Sequence, residues 1–261
     1  MKDIQIGIIG GTRGMGKWFA YYLQQQGYRV HASGSKAGMT AAEMAACCQV
    51  VVISVPIGIT TKIVATVGPL LTKDCLLMDL TSLKVEPVKA MLDCSAAEVI
   101  GCHPLFGPQV ASPEGQHVVL CPARTRQWLP WLREVLTKGG ALLVETTPEK
   151  HDELMAAVQG LNHFNTIMMG MALSKTWVPL SQLAPFTTPF FDIKSQMVKK
   201  IFTENPRLYA EIICHNPQME KLLAVYEEVL KELKSSVVGG DAAGLAETLQ
   251  EAAARLWPEK G

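Results

Sequence analysis

The chain has 261 residues, 48% of them hydrophobic, and its 24 lysine and arginine residues balance 24 aspartate and glutamate residues. Because the formal charge is near zero, there is no electrostatic reason to expect nucleic acid or an acidic membrane surface as a partner. No stretch approaches the roughly 20 uninterrupted apolar residues that span a bilayer, and the first apolar run is too short for a signal peptide. We therefore expect a soluble, cytoplasmic protein.

Short β-rich apolar runs alternate with helical stretches over residues 1–147. The runs are 4–9, 28–32, 50–55, 75–80, 99–102, 118–121 and 141–144. Segments of helical period, such as 17–26 and 59–71, separate the first five runs, and one more helix is predicted near 126–137. Buried runs that alternate with helices predict βαβ units and a mainly parallel sheet. Residues 1–147 therefore read as an α/β domain.

The β-rich runs disappear from Pro148 onward. Thr147, Pro148 and Glu149 are typical of a helix start, and apolar residues then recur at helical spacing as far as Met171. Proline and threonine breaks at 178–190 precede helices predicted near 191–203, 206–214, 217–235 and 242–257. We expect residues 148–261 to form an all-helical domain. Its apolar stripes favour a homodimer through this domain over a monomeric bundle.

The seven cysteines lie at positions 47, 48, 75, 94, 102, 121 and 214. They form no CxxC pair and no metal-type spacing with histidine. Their placement in apolar runs predicts buried free thiols in a reducing compartment and no bound metal.

A glycine-rich turn joins the first predicted strand to the first predicted helix. Its residues are Gly10, Gly11, Thr12, Arg13, Gly14, Met15 and Gly16. Glycines permit a tight turn and let backbone N–H groups approach a pyrophosphate at the helix N-terminus. The position of the turn at the start of a βαβ series indicates a Rossmann-type dinucleotide-binding domain, and we expect all seven residues to contact the cofactor. Arg13 occupies the place of the middle glycine in a GxGxxG pattern.

The end of the second predicted strand bears on the choice between NAD and NADP. An enzyme that uses NAD usually has an acidic residue there for the ribose 2′-hydroxyl. This chain has Ser33, Ser35 and Lys36, with no acid before Glu43. Hydroxyls and a lysine, with Arg13 across the turn, suit a 2′-phosphate. We therefore expect NADP as the cofactor, with NAD as the alternative.

Four ordered segments resemble the prephenate dehydrogenase family. The segment IGCHPLFGP at 100–108 closely resembles the family's signature, and DLTSLK at 79–84 resembles its D-x-x-S-x-K pattern. The serine of that pattern stands 21 residues before His103, as in the family. EKHD at 149–152 and QGLNHF at 159–164 also resemble family segments. The resemblance extends from the glycine turn to residue 213.

The resemblance implies the oxidative decarboxylation of prephenate to 4-hydroxyphenylpyruvate in tyrosine biosynthesis, with hydride transfer from C4 of the ring to the nicotinamide cofactor, which the residues above predict to be NADP. It assigns to His103 the role of accepting the proton of the C4 hydroxyl, which suits a neutral histidine near pH 7. By the same resemblance, Ser82 hydrogen-bonds the hydroxyl or His103. Both residues are expected at strand ends, where open α/β sheets bind their ligands.

The substrate carboxylates are expected to meet residues of the helical domain. The resemblance assigns one carboxylate to His163 and aligns Lys200 with a family arginine that binds the side-chain carboxylate. Lys199 is the alternative partner. Lysine offers a point charge rather than a bidentate fork, so side-chain recognition is expected to be altered. His151 is expected either to support the site from behind or between the domains, or to be structural.

Several other functions stay open at this point. Arogenate dehydrogenase is the nearest, because a single side-chain substituent separates the two substrates. A 3-hydroxyacid dehydrogenase, an imine reductase or a non-catalytic dinucleotide sensor would use the same kind of fold. Because the glycine turn starts at residue 10 and the chain ends soon after its helices, we expect neither a chorismate mutase domain nor a C-terminal regulatory domain.

Overall fold

A computed structural model describes residues 4–35 and 37–258 of the chain. The chain divides into two compact units, Met1–Pro217 and Gln218–Gly261. The first unit contains one seven-stranded sheet and ten α-helices among its described residues, and the second contains two α-helices. The expected α/β domain followed by helices is confirmed.

The strands follow the order β2-β1-β3-β4-β5-β6-β7 across the sheet. Their bounds are β1 Gln5–Ile9, β2 Arg29–Ser33, β3 Val50–Ile53, β4 Leu76–Asp79, β5 Glu98–Pro104, β6 His117–Arg124 and β7 Leu142–Glu145. All neighbouring pairs are parallel except β5 and β6, which are antiparallel. The sheet is therefore mainly parallel, as the sequence predicts.

The first unit carries helices α1 Gly14–Gln25, α2 Ala41–Cys47, α3 Ile57–Val67, α4 Val85–Cys94, α5 Trp128–Lys138, α6 Pro148–Met155, α7 Asn162–Lys175, α8 Leu180–Leu183, α9 Pro189–Thr203 and α10 Pro206–His215. The second unit carries α11 Met219–Gly239 and α12 Ala242–Leu256. Over the described residues, none of these helices combines the length and the apolar character needed to cross a bilayer.

The central strands are buried on both faces, and alternate residues feed two separate hydrophobic clusters. Val50 and Val52 of β3 pack with the cluster that contains α1 and α5, whereas Val51 and Ile53 pack with the cluster that contains α3 and α4. This alternation follows from the two-residue period of a strand. The near-continuous apolar runs in the sequence therefore reflect a sheet covered by helices on both faces.

The long helix predicted from Pro148 to Met171 is interrupted. Between α6 and α7, residues Ala156–Leu161 form a π-helical segment, which shifts the faces of the helix relative to a regular one and is frequent at functional sites. The apolar stripe in the sequence does not reveal this insertion. Within the first unit, α6 contacts α4 and α10 contacts α3, so these two helices pack against helices that cover the sheet.

The second unit is a helical hairpin. Gly240 follows α11 in the left-handed conformation, with φ of 67°, which a glycine adopts without steric cost. The Asp241 side chain then accepts a hydrogen bond of 2.9 Å from the backbone N–H of Gly244 and so caps α12. The two helices expose several large apolar side chains, among them Val237, Val238 and Leu256.

Candidate active site

The carboxyl ends of five parallel strands bring most of the predicted site residues to one edge of the sheet. In the order β2, β1, β3, β4 and β5, these ends carry Ser33, the glycine turn, the segment after Ile53, Ser82 and His103. Three strand spacings, about 14 Å, separate the glycine turn from His103. A ligand that bridges them must be extended along this edge.

The glycine turn is shaped for close approach. A Cβ on Gly10 would overlap the carbonyl oxygen of Ser54. A Cβ on Gly16 would collide with the carbonyl oxygen of Gly10. Gly14 has φ of 57° and opens α1, with nothing within 4 Å of a Cβ placed there. The residue before α1, Arg13, makes no side-chain hydrogen bond to the helix N-terminus.

These features fit a nicotinamide dinucleotide. The first N–H groups of α1 have no side-chain cap, so they are free to bind a pyrophosphate, which the helix dipole also favours. The open space beside Gly14 leaves room for that group. Thr12 and Arg13 are exposed in the same turn, and Met15 is partly exposed.

The loop after β2 lies against the glycine turn. A Cβ on Gly34 would come within 2.6 Å of Thr12 Oγ1, and the backbone N–H of Gly10 donates to the carbonyl oxygen of Ser33 at 2.9 Å. Ser33 is buried and Ser35 is exposed. Lys36 lies outside the described residues.

The first acid after β2 is engaged elsewhere. Glu43 Oε2 accepts a hydrogen bond of 2.7 Å from the backbone N–H of Thr40 and one of 2.9 Å from its hydroxyl. In return, the Glu43 N–H donates to Thr40 Oγ1 at 3.2 Å. This reciprocal pair caps the N-terminus of α2. Glu43 is therefore used for helix capping.

A buried ion pair supports the ends of β4 and β5. Lys84 and Asp79 have fully buried side chains in direct contact. Lys84 Nζ also donates to the carbonyl oxygen of Cys102 at 3.1 Å and lies 3.4 Å from Thr81 Oγ1. The lysine and aspartate of the D-x-x-S-x-K segment therefore tie the two strand ends together beneath His103.

His103 lies near the end of β5 and begins a chain of hydrogen bonds. Its Nδ1 lies 2.9 Å from His151 Nε2, and His151 Nδ1 lies 2.7 Å from Asp152 Oδ1. All three residues are at most 3% exposed. Asp152 also accepts hydrogen bonds from the backbone N–H groups of Lys84 at 2.8 Å and Val85 at 3.0 Å.

This chain determines which nitrogen of His103 is basic. An ionised carboxylate only accepts hydrogen bonds, so His151 Nδ1 donates to Asp152. With both rings neutral, His151 Nε2 then accepts from the N–H at His103 Nδ1, and the lone pair of His103 lies on Nε2. Burial lowers the pKa of His103 well below its usual 6.5, and the positive charge of Lys84 acts in the same direction. His103 is therefore a neutral imidazole at pH 7.

Gln159 of the π-helical segment faces the basic nitrogen. Its Nε2 lies 3.4 Å from His103 Nε2, where an amide N–H can donate to the lone pair. The Oε1 atom of Gln159 is buried, and it has no hydrogen-bond partner among the described residues. A buried acceptor without a donor is unfavourable. The arrangement suits a ligand hydroxyl that approaches His103 Nε2.

Ser82 follows β4 and is half-buried. Within the described part of the chain, no hydrogen bond joins it to His103. Instead, His151 lies beside Nδ1 of His103 and fixes the tautomer of the His103 ring. The expected contact of Ser82 with a substrate hydroxyl stays a prediction.

The expected carboxylate-binding residues lie on α7 and α9. His163 is half-buried, and its ring packs edge-on against Tyr209 with centroids 4.9 Å apart. Burial lowers the pKa of His163, so it would offer a neutral N–H donor. Lys199 and Lys200 are both exposed, and among the described residues neither forms an ion pair. Lys199 borders a mostly apolar groove of about 510 Å³ along α7 to α9.

All seven cysteines are free, and Cys48, Cys75, Cys102 and Cys121 are buried. One group of soft ligands lies away from the strand ends, where His31, Cys47 and Cys48 hold their ligand atoms within 4.8 Å of one another. Burial raises the pKa of the Cys48 thiol to about 12, so in the absence of a metal this sulfur is protonated at neutral pH. The expectation of no bound metal stays a prediction.

From the sequence, Ser82 is the expected partner of either the substrate hydroxyl or His103, His151 is expected to be supporting or structural, and Asp152 has no expected role. The partner of His103 Nδ1 in the structure is His151. The structure brings His151 against His103, with Asp152 behind His151, because α6 begins after Thr147 and packs against α4 and β6. The signal in the sequence is the short segment EKHD, which places the adjacent polar residues His151 and Asp152 in an otherwise amphipathic helix.

Two family models match this chain. The model of the prephenate dehydrogenase nucleotide-binding domain matches residues 19–145, and that of the prephenate dehydrogenase dimerization domain matches residues 147–251. A protein of Methanocaldococcus jannaschii named "Probable arogenate/prephenate dehydrogenase" is 34% identical over 98% of this chain and 62% of its own length. The T-protein of Haemophilus influenzae is 35% identical over 87% of this chain and 61% of its own length.

The chain thus spans less than two thirds of these two relatives. Among solved structures, prephenate dehydrogenase from A. aeolicus, in complex with hydroxyphenyl propionate and NAD+, superimposes with a TM-score of 0.78 at 20% identity, covering 98% of each chain. That likeness supports the fold. The two domain models together leave few residues unmatched, and the chain belongs to the prephenate dehydrogenase family.

Proposed function

We propose that the protein is a prephenate dehydrogenase. It would convert prephenate to 4-hydroxyphenylpyruvate and carbon dioxide, with transfer of hydride to NADP, in tyrosine biosynthesis. The observation that carries the proposal is His103, a buried neutral imidazole whose basic Nε2 lies at the strand-end edge. The hydroxyl group on the carbon that loses hydride must also lose its proton, and that proton needs such an acceptor.

The nicotinamide dinucleotide would be held at the other end of the same edge. Gly10, Gly14 and Gly16 provide the close approach, and the uncapped N-terminus of α1 meets the pyrophosphate. The bound cofactor supplies the hydride acceptor. The chain's own residues would orient the substrate and accept its proton at His103 Nε2.

We propose NADP rather than NAD. No free carboxylate follows β2 to bind a ribose 2′-hydroxyl, since Glu43 caps α2. The exposed side chains of Arg13 and Ser35 lie in the turns at the ends of β1 and β2. They would offer a cation and a hydroxyl to a 2′-phosphate, and the sequence places Lys36, which lies outside the described residues, next to Ser35. NAD is the alternative.

The substrate would be recognised from the helical part of the first unit. His163 would donate to one carboxylate, and Lys200 or Lys199 would attract the other. Ser82 would hydrogen-bond the C4 hydroxyl beside His103. The unpaired Gln159 Oε1 adds an acceptor in the same place, so the hydroxyl would be surrounded by polar atoms while its proton is removed.

Arogenate is the second candidate substrate. The related protein of Methanocaldococcus jannaschii carries both substrates in its name. Arogenate replaces the side-chain keto group of prephenate by an amino group, which lies far from the reacting C4. A lysine at the side-chain carboxylate, in place of an arginine fork, leaves this end of the substrate less strictly defined.

We also propose that the protein is a cytoplasmic homodimer, organised as a dinucleotide-binding domain over 1–147 and a helical domain over 148–261. The family describes its second domain as a dimerization domain. Large apolar side chains are exposed in and around α8 and α9. They include Trp177 before α8, which is 93% exposed, Phe186 between the two helices at 84% and Phe190 in α9 at 81%. Such a surface suits a second copy of the chain.

The direct test is turnover with each of four pairs of reactants. Purified protein is mixed with prephenate or arogenate and with NADP or NAD, and the absorbance of the reduced nicotinamide is followed. We expect the highest kcat/KM with prephenate and NADP. A higher value with arogenate would replace the substrate assignment, and no turnover with any pair would refute the proposed function.

A further inference from the structure

Asp152 is held more firmly than a helix cap requires. Its carboxylate receives three donors, from the backbone of Lys84 at 2.8 Å, the backbone of Val85 at 3.0 Å and His151 Nδ1 at 2.7 Å. Its backbone carbonyl accepts a further hydrogen bond of 2.9 Å from Asn216 Nδ2. The residue is 1% exposed. Its negative charge is therefore fixed in position.

His151 transmits that fixed position to His103. Its two ring nitrogens are both used, one toward Asp152 at 2.7 Å and one toward His103 at 2.9 Å. The two imidazole rings meet at 63° with centroids 5.1 Å apart. A rotation of either ring breaks the chain. The interaction therefore selects one orientation and one tautomer of each ring.

The need for this support follows from the burial of His103. The side chain is 3% exposed, and Lys84 places a positive charge beneath it. When His103 accepts a proton, it becomes a cation in a poorly solvated site, which is costly without a nearby negative charge. The pKa of His103, held low by burial, reflects that cost.

We propose that His151 and Asp152 are positioning residues, which fix His103 with its lone pair on Nε2 and stabilise the imidazolium formed during turnover. This role rests on the proposed function for its effect on rate. During the reaction the substrate O–H bond breaks and an N–H bond forms at His103 Nε2. The N–H at Nδ1 remains on His103 and donates to His151, whose ring is polarised by the Asp152 carboxylate.

The charged and titratable groups around this pair come from several elements. Asp79 and Lys84 approach from β4 and the start of α4, and the thiols of Cys102 and Cys121 lie in β5 and β6. On its other side, Asp152 borders a cavity of about 220 Å³ that Glu86 and His215 also line. Among the acidic groups named here, Asp152 is the one that is hydrogen-bonded to His151.

Two substitutions at His151 separate orientation from charge. His151→Gln can keep an acceptor for the N–H of His103 but breaks the ring connection to Asp152. His151→Leu removes both functions. We expect kcat to fall about tenfold in the glutamine variant and about 10²–10³-fold in the leucine variant, by analogy with orienting groups of other histidine bases. KM should change by less than about threefold, because neither variant touches the substrate.

The tautomer itself can be observed without substrate or cofactor. In protein labelled with ¹⁵N-histidine, two-bond nitrogen–proton correlations distinguish a ring protonated at Nδ1 from one protonated at Nε2. We expect His103 of the unaltered protein to be protonated at Nδ1 at pH 7.5. His151→Gln should keep this state, and His151→Leu should give a mixture. His117→Gln, at an exposed histidine of β6, is the matched control for both measurements.

The two kinds of failure are distinguishable. If the unaltered protein turns over neither prephenate nor arogenate, the proposed function fails, and the tautomer of His103 still tests the positioning role. If the unaltered protein is active, but His103 is protonated at Nε2 or His151→Leu keeps kcat within about threefold, the positioning role is wrong. Should His151→Leu not fold, His151→Gln and the spectrum of the unaltered protein decide.

Discussion

Lys84 Nζ lies 3.1 Å from the carbonyl oxygen of Cys102 and contacts the Asp79 carboxylate, so one buried side chain joins the ends of β4 and β5. Both charged groups are fully buried. The Oδ1 atom of Asp79 has no hydrogen-bond partner within the described residues. The carboxylate therefore depends on Lys84 for compensation of its charge.

Replacing only one partner of this ion pair should be costly. Lys84→Met leaves Asp79 buried and unpaired, and we expect the free energy of unfolding to fall by about 3–5 kcal/mol. Urea unfolding followed by circular dichroism measures the change. The double variant Asp79→Asn with Lys84→Met should recover part of the loss, because no charge is then left unpaired. A double variant less stable than Lys84→Met would contradict this account.

The pH dependence of kcat/KM should report the lowered pKa of His103. The base acts when neutral, so activity is full above its pKa and is lost as the pH falls through it. Because burial lowers that pKa well below 6.5, kcat/KM should stay level down to pH 6.5 and decline only at more acid pH. A half-maximal point at or above pH 6.5 would contradict the burial of the base. The cofactor dissociation constant, measured over the same range, controls for effects on binding.

Cofactor selectivity should depend on Arg13. Removal of a cation that binds the 2′-phosphate costs about 1.5–3 kcal/mol, so Arg13→Ala should raise the KM for NADP by about tenfold or more. The KM for NAD should change by less than about twofold, since NAD lacks the phosphate. Steady-state kinetics with both cofactors gives the comparison, and Lys36→Ala is expected to act in the same direction.

Arg29→Ala is the matched control for that experiment, because Arg29 is exposed at the start of β2, away from the carboxyl edge. If Arg13→Ala and Lys36→Ala leave the ratio of the two KM values unchanged, the preference for a 2′-phosphate loses its basis.

The dimer should be disrupted by a charge in the apolar groove of α7 to α9. Leu180 lines the groove and is 61% exposed, so Leu180→Asp would bury a carboxylate against the second copy. We expect light scattering after size exclusion to show a dimer for the unaltered protein and monomer for the variant. Leu70→Asp, at a leucine that is 47% exposed, follows α3 and does not line the groove, should remain dimeric. A monomeric unaltered protein would remove the proposed interface.

The sequence predicts the sheet well because its strands are buried on both faces and stand out as continuous apolar runs, such as Val50–Ile53. It predicts the glycine turn for a similar reason, since few other residues tolerate the conformation of Gly10 or Gly14. Both features are local, and each has a direct signature in residue type.

The hydrogen-bond chain behind His103 has no such signature. His151 is 48 residues from His103 in sequence, and their contact depends on where α6 packs. The π-helical segment that carries Gln159 is equally hidden, because its apolar spacing resembles that of a regular helix. Long-range packing decides both, and periodicity along the chain does not report it.

If His103 Nε2 accepts the substrate proton, His103→Asn should remove that function. We expect kcat with prephenate to fall at least about 100-fold, while NADP binding, measured by fluorescence titration, stays within about twofold. A variant that keeps kcat within about tenfold of the unaltered protein would contradict a proton acceptor at this position.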